Sequence, residues 1–317
     1  YIHPSIHDAL PIYAIPSLEQ NALNAAKTRS ALTRSGIESV DDILNDLHVT
    51  SLERVFPEAG EHEARTRAAG LHRWYVLGFA SEEDLDKAAE RLAGVAEISK
   101  VQFRTRLYRA SDCKTYPFQA TANGQTRALV TADFNDPNLF WQWHYINNAD
   151  QAVATTSVAG ADINVADAWK LTAGNPEVIV AIVDEGVKYT HPDLAANMWI
   201  NPNPSPEYKN QDIHGWNFAA DGPISWGQKG DSGHGTHVAG TVAAVNNNGI
   251  GVCGVAGGTG KGDGVRLMSC QIFSGDLTGD ALVSSRAVKY AADHGASLLQ
   301  CTWGNSSEEH TSELQSP

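Results

Sequence analysis

Residues 177–184 read EVIVAIVD, and this stretch decides the fold. From Val178 to Val183 every side chain is apolar and nearly all are β-branched. A strand that is apolar at every position, instead of every second one, has no water-facing side. It belongs in a parallel sheet with both faces covered. Working outward, residues 264–273 (GVRLMSCQIF) and 297–303 (SLLQCTW) read as two further buried strands. Helical patterns separate them. One starts at His234, with Val238, Val242 and Val245 at i, i+4 and i+7. The other spans 278–294, with Val283, Ala287, Tyr290 and Ala291 on one stripe and Gly295 as its stop. Strands alternating with helices predict an α/β fold with a parallel, doubly wound sheet, and ligands then sit outside the carboxyl ends of the strands.

Upstream, residues 35–108 predict a separate small α/β domain. Ser39 with Asp42 reads as a capping box for a helix to about Leu47, followed by a strand at 51–56. Residues 73–79 (RWYVLGF) read as a second strand. Ser81 with Asp84 should cap a helix through Leu92, stopped by Gly94. Residues 100–108 alternate, with Val101, Phe103, Thr105 and Leu107 on one face, and read as a third strand. Residues 13–34 form an N-terminal segment and 109–132 lack periodicity, so they read as a linker. Residues 133–306 make up the second domain. Residues 1–12 and 307–317 resemble translated sequencing-adapter DNA and are set apart from the fold as artefacts.

Composition narrows the function classes. A formal charge of −14 with no basic run argues against nucleic-acid binding. No stretch reaches the roughly 18 apolar residues of a membrane span, and the visible N-terminus has no signal-peptide pattern. The four cysteines, Cys113, Cys253, Cys270 and Cys301, are too scattered for a disulfide scaffold, and Cys270 and Cys301 read as packed thiols. Residues 257–264 (GGTGKGDG) miss the Ser or Thr of a phosphate loop and read as a turn. Residues 201–217 read as a surface insertion.

Two strand and helix junctions carry chemistry. The strand at 177–184 ends in Asp184-Glu185-Gly186, which places a carboxylate at the sheet's carboxyl edge. Fifty residues on, DSGHGTHVAGTV (231–242) opens a helix on His234 among glycines and alanines that permit close packing. A buried carboxylate can fix the tautomer of an imidazole and support the charge it acquires. The imidazole can then draw the proton from a hydroxyl nucleophile. His237, one turn further, reads as structural.

VDEGV (183–187) followed by HPDL (191–194), and GHGTHVAGTVAA (233–244), resemble the Asp and His motifs of the subtilase family of serine peptidases. The resemblance continues through NNNGIGVCGVA (246–256) and GASLLQCTWG (295–304). It implies a subtilisin-like sheet, with Asp184 orienting His234 and His234 as general base. The domain at 35–108 resembles, more weakly, the propeptides that chaperone and inhibit such enzymes. Processing would fall within 109–133. Thr302, Trp303 and Gly304 match the segment that pairs with an extended polypeptide substrate and lines its first specificity pocket. No cofactor is implied for the chemistry. The resemblance does imply a structural calcium, with Asp193, Asn247 and the backbone oxygens of Val245, Ile250 and Val252 as ligands, and a secreted or cell-envelope location.

The resemblance stops short of the nucleophile. No Gly-Thr-Ser occurs in the sequence, and only 83 residues follow His234. The chain therefore reads as a serine endopeptidase precursor broken off before its catalytic serine, and inactive as written. A non-catalytic pseudo-peptidase or binding module is the alternative. A zinc enzyme using His234 and His237 is a third reading. HGTH lacks the glutamate of HExxH, and its histidines stand three apart instead of four.

Overall fold

In a computed structural model of the chain, the structure describes residues 2–4, 37–79, 85–109, 134–149 and 156–304. Two compact units divide between Thr105 and Arg106, so residues 106–108 group with the second unit and not with the first as expected. The expectations for 13–34, for 307–317 and for the linker beyond Arg109 lie outside the described residues.

The first unit comprises strands β1 (Ile2–Pro4), β2 (Val49–Arg54), β3 (Tyr75–Phe79) and β4 (Ile98–Val101), with helices α1 (Glu38–Asp46), α2 (Glu63–Ala68) and α3 (Leu85–Ala93). The sheet order is β2-β3-β1-β4, with antiparallel pairing throughout. Ile2–Pro4, within the segment set apart in the sequence, thus form a strand, and the rest of 1–12 lies outside the described residues. A register shift between Val49 and Ser51 puts the buried positions of β2 three apart, at Val49 and Leu52. These pack with Leu44, Leu47, Tyr75, Ala88 and Leu92.

Local signals misplaced two elements here. Helix α1 starts at Glu38 behind Ile37, with no side-chain cap, so Ser39 is inside the first turn and caps nothing. The strand expected over 100–108 ends at Val101, and Phe103 is half-exposed. The alternation fails because the chain leaves the first unit at Thr105, while Leu107 is buried in the core of the second. The Ser81–Asp84 cap lies outside the described residues.

The second unit contains β5 (Tyr108–Arg109), α4 (Val165–Trp169), β6 (Ile179–Glu185), β7 (Gly215–Asn217), α5 (His234–Ala243), β8 (Arg266–Phe273), α6 (Ala281–Asp293), β9 (Leu298–Cys301) and β10 (Trp303–Gly304). Strands β7-β8-β6-β9 form a four-stranded, wholly parallel sheet. Alternate residues of β6 explain its unbroken apolarity. Val180 and Ile182 pack with Ala239 and Ala243 of α5, and Ala181 and Val183 pack with Ala287, Tyr290 and Ala291 of α6. Both faces are covered, as the reading of 177–184 requires.

Three expectations for this unit need correction. Residues 201–217 are no mere surface insertion. They end in β7, whose Trp216 is fully buried, and Asn201 and Asp212 are buried and hydrogen-bonded to each other at 2.8 Å. Strand β9 is not buried. It is an edge strand, with Leu298 at 58% and Leu299 at 38% exposure, and Cys301 is exposed while Cys270 is packed. Finally, α5 buries its small stripe, Gly235, Ala239 and Ala243, and its valines flank it.

Candidate active site

Strand β6 and helix α5 deliver the two groups marked in the sequence to one point. Asp184 lies at the carboxyl end of β6, 1% exposed. His234 is the first residue of α5, entered through Gly233 at φ = 80°, where a side chain would be strained. His234 Nδ1 lies 2.8 Å from Asp184 Oδ1 and 2.9 Å from Oδ2. The Glu185 N–H donates to Asp184 Oδ1 at 2.6 Å. Burial raises the Asp184 carboxyl above its ordinary value, opposed by the hydrogen bonds from His234 and the Glu185 amide. An ionised Asp184 can hold the Nδ1–H of His234, leaving Nε2 free to accept a proton.

The approach of α5 to β6 depends on Gly235. A Cβ there would stand 2.1 Å from the carbonyl oxygen of Glu185. Any larger residue would push the helix, and His234 with it, away from the sheet.

Glu185 carries a role that the sequence reading missed. A register shift between Asp184 and Glu185 breaks the simple alternation at the end of β6. Its carboxylate accepts from the Ser232 N–H and Oγ–H, the Gly233 N–H at 2.9 Å and the His234 N–H at 3.0 Å. These are donors at the start of α5, where the helix dipole favours negative charge. Two consecutive carboxylates at a strand end were the available signal. Opposite Glu185 lies Arg109 of β5, whose Nε donates to Glu185 Oε1 at 2.6 Å.

The segment expected to bind extended peptide is itself paired. Strand β10 runs antiparallel to β5, with Trp303 opposite Arg109 and Gly304 opposite Tyr108. The Trp303 indole N–H donates to the Val183 carbonyl at 3.1 Å, and the Thr302 hydroxyl accepts from Gln300. Asp184, His234, Trp303 and Gly304 therefore lie around one end of the sheet. His237 is exposed, and among the described residues no group of three His, Cys, Asp or Glu is placed to hold a metal.

The residues expected to hold calcium surround a partly exposed loop elsewhere in this unit. Asp193 is 3% exposed, and its carboxylate accepts from the Val252 N–H at 2.9 Å and Asn248 Nδ2 at 2.8 Å. Its backbone oxygen accepts from the Val245 N–H. The Ile250 N–H turns to Asn248 Oδ1. The side chain that reaches Asp193 is thus Asn248. That of Asn247, the expected one, donates instead to the Thr259 carbonyl. Asp136, not anticipated, is 5% exposed and accepts from the Asn247 N–H at 2.6 Å. Burial raises the Asp193 carboxyl, and the charge of Asp136 adds to the effect.

Comparison with known proteins agrees with this geometry. Residues 175–316 match the subtilase family model, Peptidase_S8. Neuroendocrine convertase 2 of Bos taurus is 32% identical over 243 residues, covering 74% of this chain and 34% of its own length. Halolysin of Haloferax mediterranei is 31% identical over 185 residues, 58% of this chain and 29% of that protein. The chain thus spans about a third of the length of these curated relatives. Among solved structures, fervidolysin of Fervidobacterium pennivorans, a keratinolytic enzyme related to subtilisin, superposes with a TM-score of 0.51 at 21% identity. That superposition covers 84% of this chain and 34% of fervidolysin, and at this identity it speaks for the fold alone. Residues 175–316, which include the parallel sheet with Asp184 and His234 at its carboxyl end, are thus a subtilase-family domain.

Proposed function

We propose that the protein of which this chain is part hydrolyses internal peptide bonds as a serine endopeptidase. The observation that carries the reading is the 2.8 Å contact between His234 Nδ1 and the buried carboxylate of Asp184. His234 Nε2 takes the proton of a serine hydroxyl while the oxygen attacks the substrate carbonyl. The same imidazole then gives that proton to the leaving amine as the C–N bond breaks, and water repeats the sequence on the acyl-enzyme. This chain supplies the acid and the base of that scheme, and its sequence holds no Gly-Thr-Ser. Thr302, Trp303 and Gly304 hold the substrate in extended form. The β5–β10 pairing supports this, because it has a chain segment lying along that edge. Residues 35–108 act as propeptide, chaperone and inhibitor.

A structural calcium fits the residues around Asp193. Asp136 and Asp193 are both buried carboxylates facing one loop, and among the described residues neither pairs with Lys or Arg. Asp136, Asp193, Asn248 and loop carbonyls at Val245, Ile250 and Val252 would hold this oxygen-seeking cation, which stiffens the loop and takes no part in the chemistry. Secretion or attachment to the cell envelope is inferred from the family. No helix among the described residues is long and apolar enough to cross a membrane.

The test is expression of the full-length gene product containing this sequence, assayed on casein with and without a serine-directed phosphonylating reagent. Hydrolysis blocked by the reagent, and abolished in His234→Ala, is the expected result. Full activity in His234→Ala removes the proposed base.

A further inference from the structure

We infer that Gln271 is a positioning residue for the Asp184–His234 pair: its buried amide fixes the bulge that turns Asp184 and Glu185 towards the same helix. For its effect on turnover the inference rests on the peptidase reading, whereas its geometry stands apart from that reading. Gln271 lies on β8 directly opposite Asp184 in the parallel register, and it is fully buried.

Adjacent residues of a regular strand face opposite sides of the sheet. Asp184 and Glu185 do not. Asp184 Oδ1 lies 2.8 Å from His234 Nδ1, and the Glu185 carboxylate accepts from the His234 N–H at 3.0 Å, so both reach the first residue of α5. The register accounts for this. Asp184 pairs with Gln271 and Glu185 with Phe273, which leaves Ile272 as an extra residue on β8. A bulge of this kind kinks the ladder and re-aims the side chains beside it. Gln271 Nε2 spans the bulge, donating to the Phe273 carbonyl at 2.9 Å.

The other end of the amide holds the chain that leaves β6. Gln271 Oε1 accepts at 3.0 Å from the N–H of Ser225, in the loop between β7 and α5. A Cβ on Gly186 would stand 2.8 Å from that Oε1 and 1.8 Å from the Ser225 carbonyl oxygen, so the residue after Glu185 is seated on this contact. Ser269, two positions back on β8, accepts from the Val187 N–H at 3.2 Å. Side chains of β8 thus grip the chain at two consecutive residues beyond the acid. A second buried amide, Asn217, makes the control. Its Nδ2 donates to Ser225 Oγ at 3.3 Å and Ser274 Oγ at 3.1 Å, and its Oδ1 accepts from the Ala220 N–H at 3.1 Å. Losing either amide leaves buried groups unpaired, but loss of Gln271 also frees the bulge.

The test sets Gln271→Met against Asn217→Ala, and both should lower stability in urea melts. With isotope-labelled histidine in the full chain, the ring-nitrogen chemical shifts of His234 report which nitrogen carries the hydrogen. Gln271→Met should replace a single Nδ1–H form with a mixture, and Asn217→Ala should keep the single form. In the full-length enzyme, Gln271→Met should lower kcat by about ten- to a hundredfold with KM nearly unchanged, since a misplacement of about 1 Å can cost that much. An unchanged Nδ1–H form in folded Gln271→Met, or an equal loss of it in Asn217→Ala, overturns the inference. A full-length protein that cleaves no peptide overturns the peptidase reading, and the ring-nitrogen shifts still decide the role of Gln271. Should Gln271→Met not fold, Gln271→Asn, whose shorter amide cannot reach both Ser225 and Phe273, is measured in its place by the same criteria.

Discussion

The amide of Glu185 donates to Asp184 Oδ1 at 2.6 Å, and the carboxylate of Glu185 receives the amide of His234 at 3.0 Å. One residue therefore braces both members of the pair, the acid through its backbone and the base through its side chain. The imidazole is positioned from the sheet and from the helix start together, which is the preorganisation that proton transfer in an extended site requires.

Asp184→Asn should keep the geometry and spoil the tautomer, because an amide can donate to Nδ1 and push the imidazole hydrogen onto Nε2. Turnover of the full-length enzyme should fall on the order of 10⁴-fold with little change in KM. Steady-state kinetics on a peptide substrate check this. A loss under tenfold would remove Asp184 from the mechanism.

Gly235→Ala pits helix propensity against packing. In a helix interior alanine is favoured over glycine by up to about 1 kcal/mol. Here its Cβ would meet the Glu185 carbonyl at 2.1 Å, and backbone on both sides resists movement. Overpacking of this kind costs about 1–3 kcal/mol, so the variant should be net destabilised in urea melts of the full chain. A stability gain would show that α5 can slide.

The Asp193 carboxyl is raised above 3.8, first by burial and further by Asp136. The folded chain therefore binds this proton more tightly than the unfolded chain. Its contribution to stability is full below about pH 3.8 and is lost as pH climbs through the raised folded value. Calcium should act in the opposite sense, since it binds the ionised form. Millimolar calcium should raise the melting temperature more at pH 7 than at pH 4, a hundredfold excess over Kd corresponding to about 2.7 kcal/mol of added stability. Asp193→Asn should flatten both trends. A calcium response unchanged in that variant would exclude the loop as its site.

In the first unit, His72 is 6% exposed and its pKa is pushed down to about 4, by burial and then by Arg67, Arg73 and Arg54, with Glu63 opposing. The unfolded chain takes up this proton near pH 6.5 and the folded chain does not. The associated stability is therefore present above pH 6.5 and is lost as pH falls towards about 4. Hydrogen exchange in β2 and β3 of the full chain should accelerate across that window. In His72→Leu the acceleration should be smaller, and identical pH profiles would acquit the histidine.

Much of this architecture was legible because its strongest signals are long and redundant. The apolar runs at 177–184 and 264–273 could hardly sit anywhere but between two helical layers, and they became β6 and β8. Asp184 and His234 were visible through their places at a strand end and a helix start. What was missed depends on neighbours distant in sequence. Residues 297–303 look buried by composition, yet β9 is an edge strand with exposed leucines, since composition says nothing of which strands flank it. Strand β7 hid among polar residues of 201–217 because Asn201 and Asp212 satisfy each other internally. Helix α6 begins at Ala281 behind Asp280, whose side chain caps Leu282 and Val283, and not at 278. Arg109 stood within a segment read as featureless, because its partner, Glu185, is 76 residues away.

The double duty of Glu185 leaves its position little room to vary. Its carboxylate receives the amides of the turn from which the imidazole projects, and its own amide steadies the neighbouring acid, so a single exchange there would loosen both partners at once.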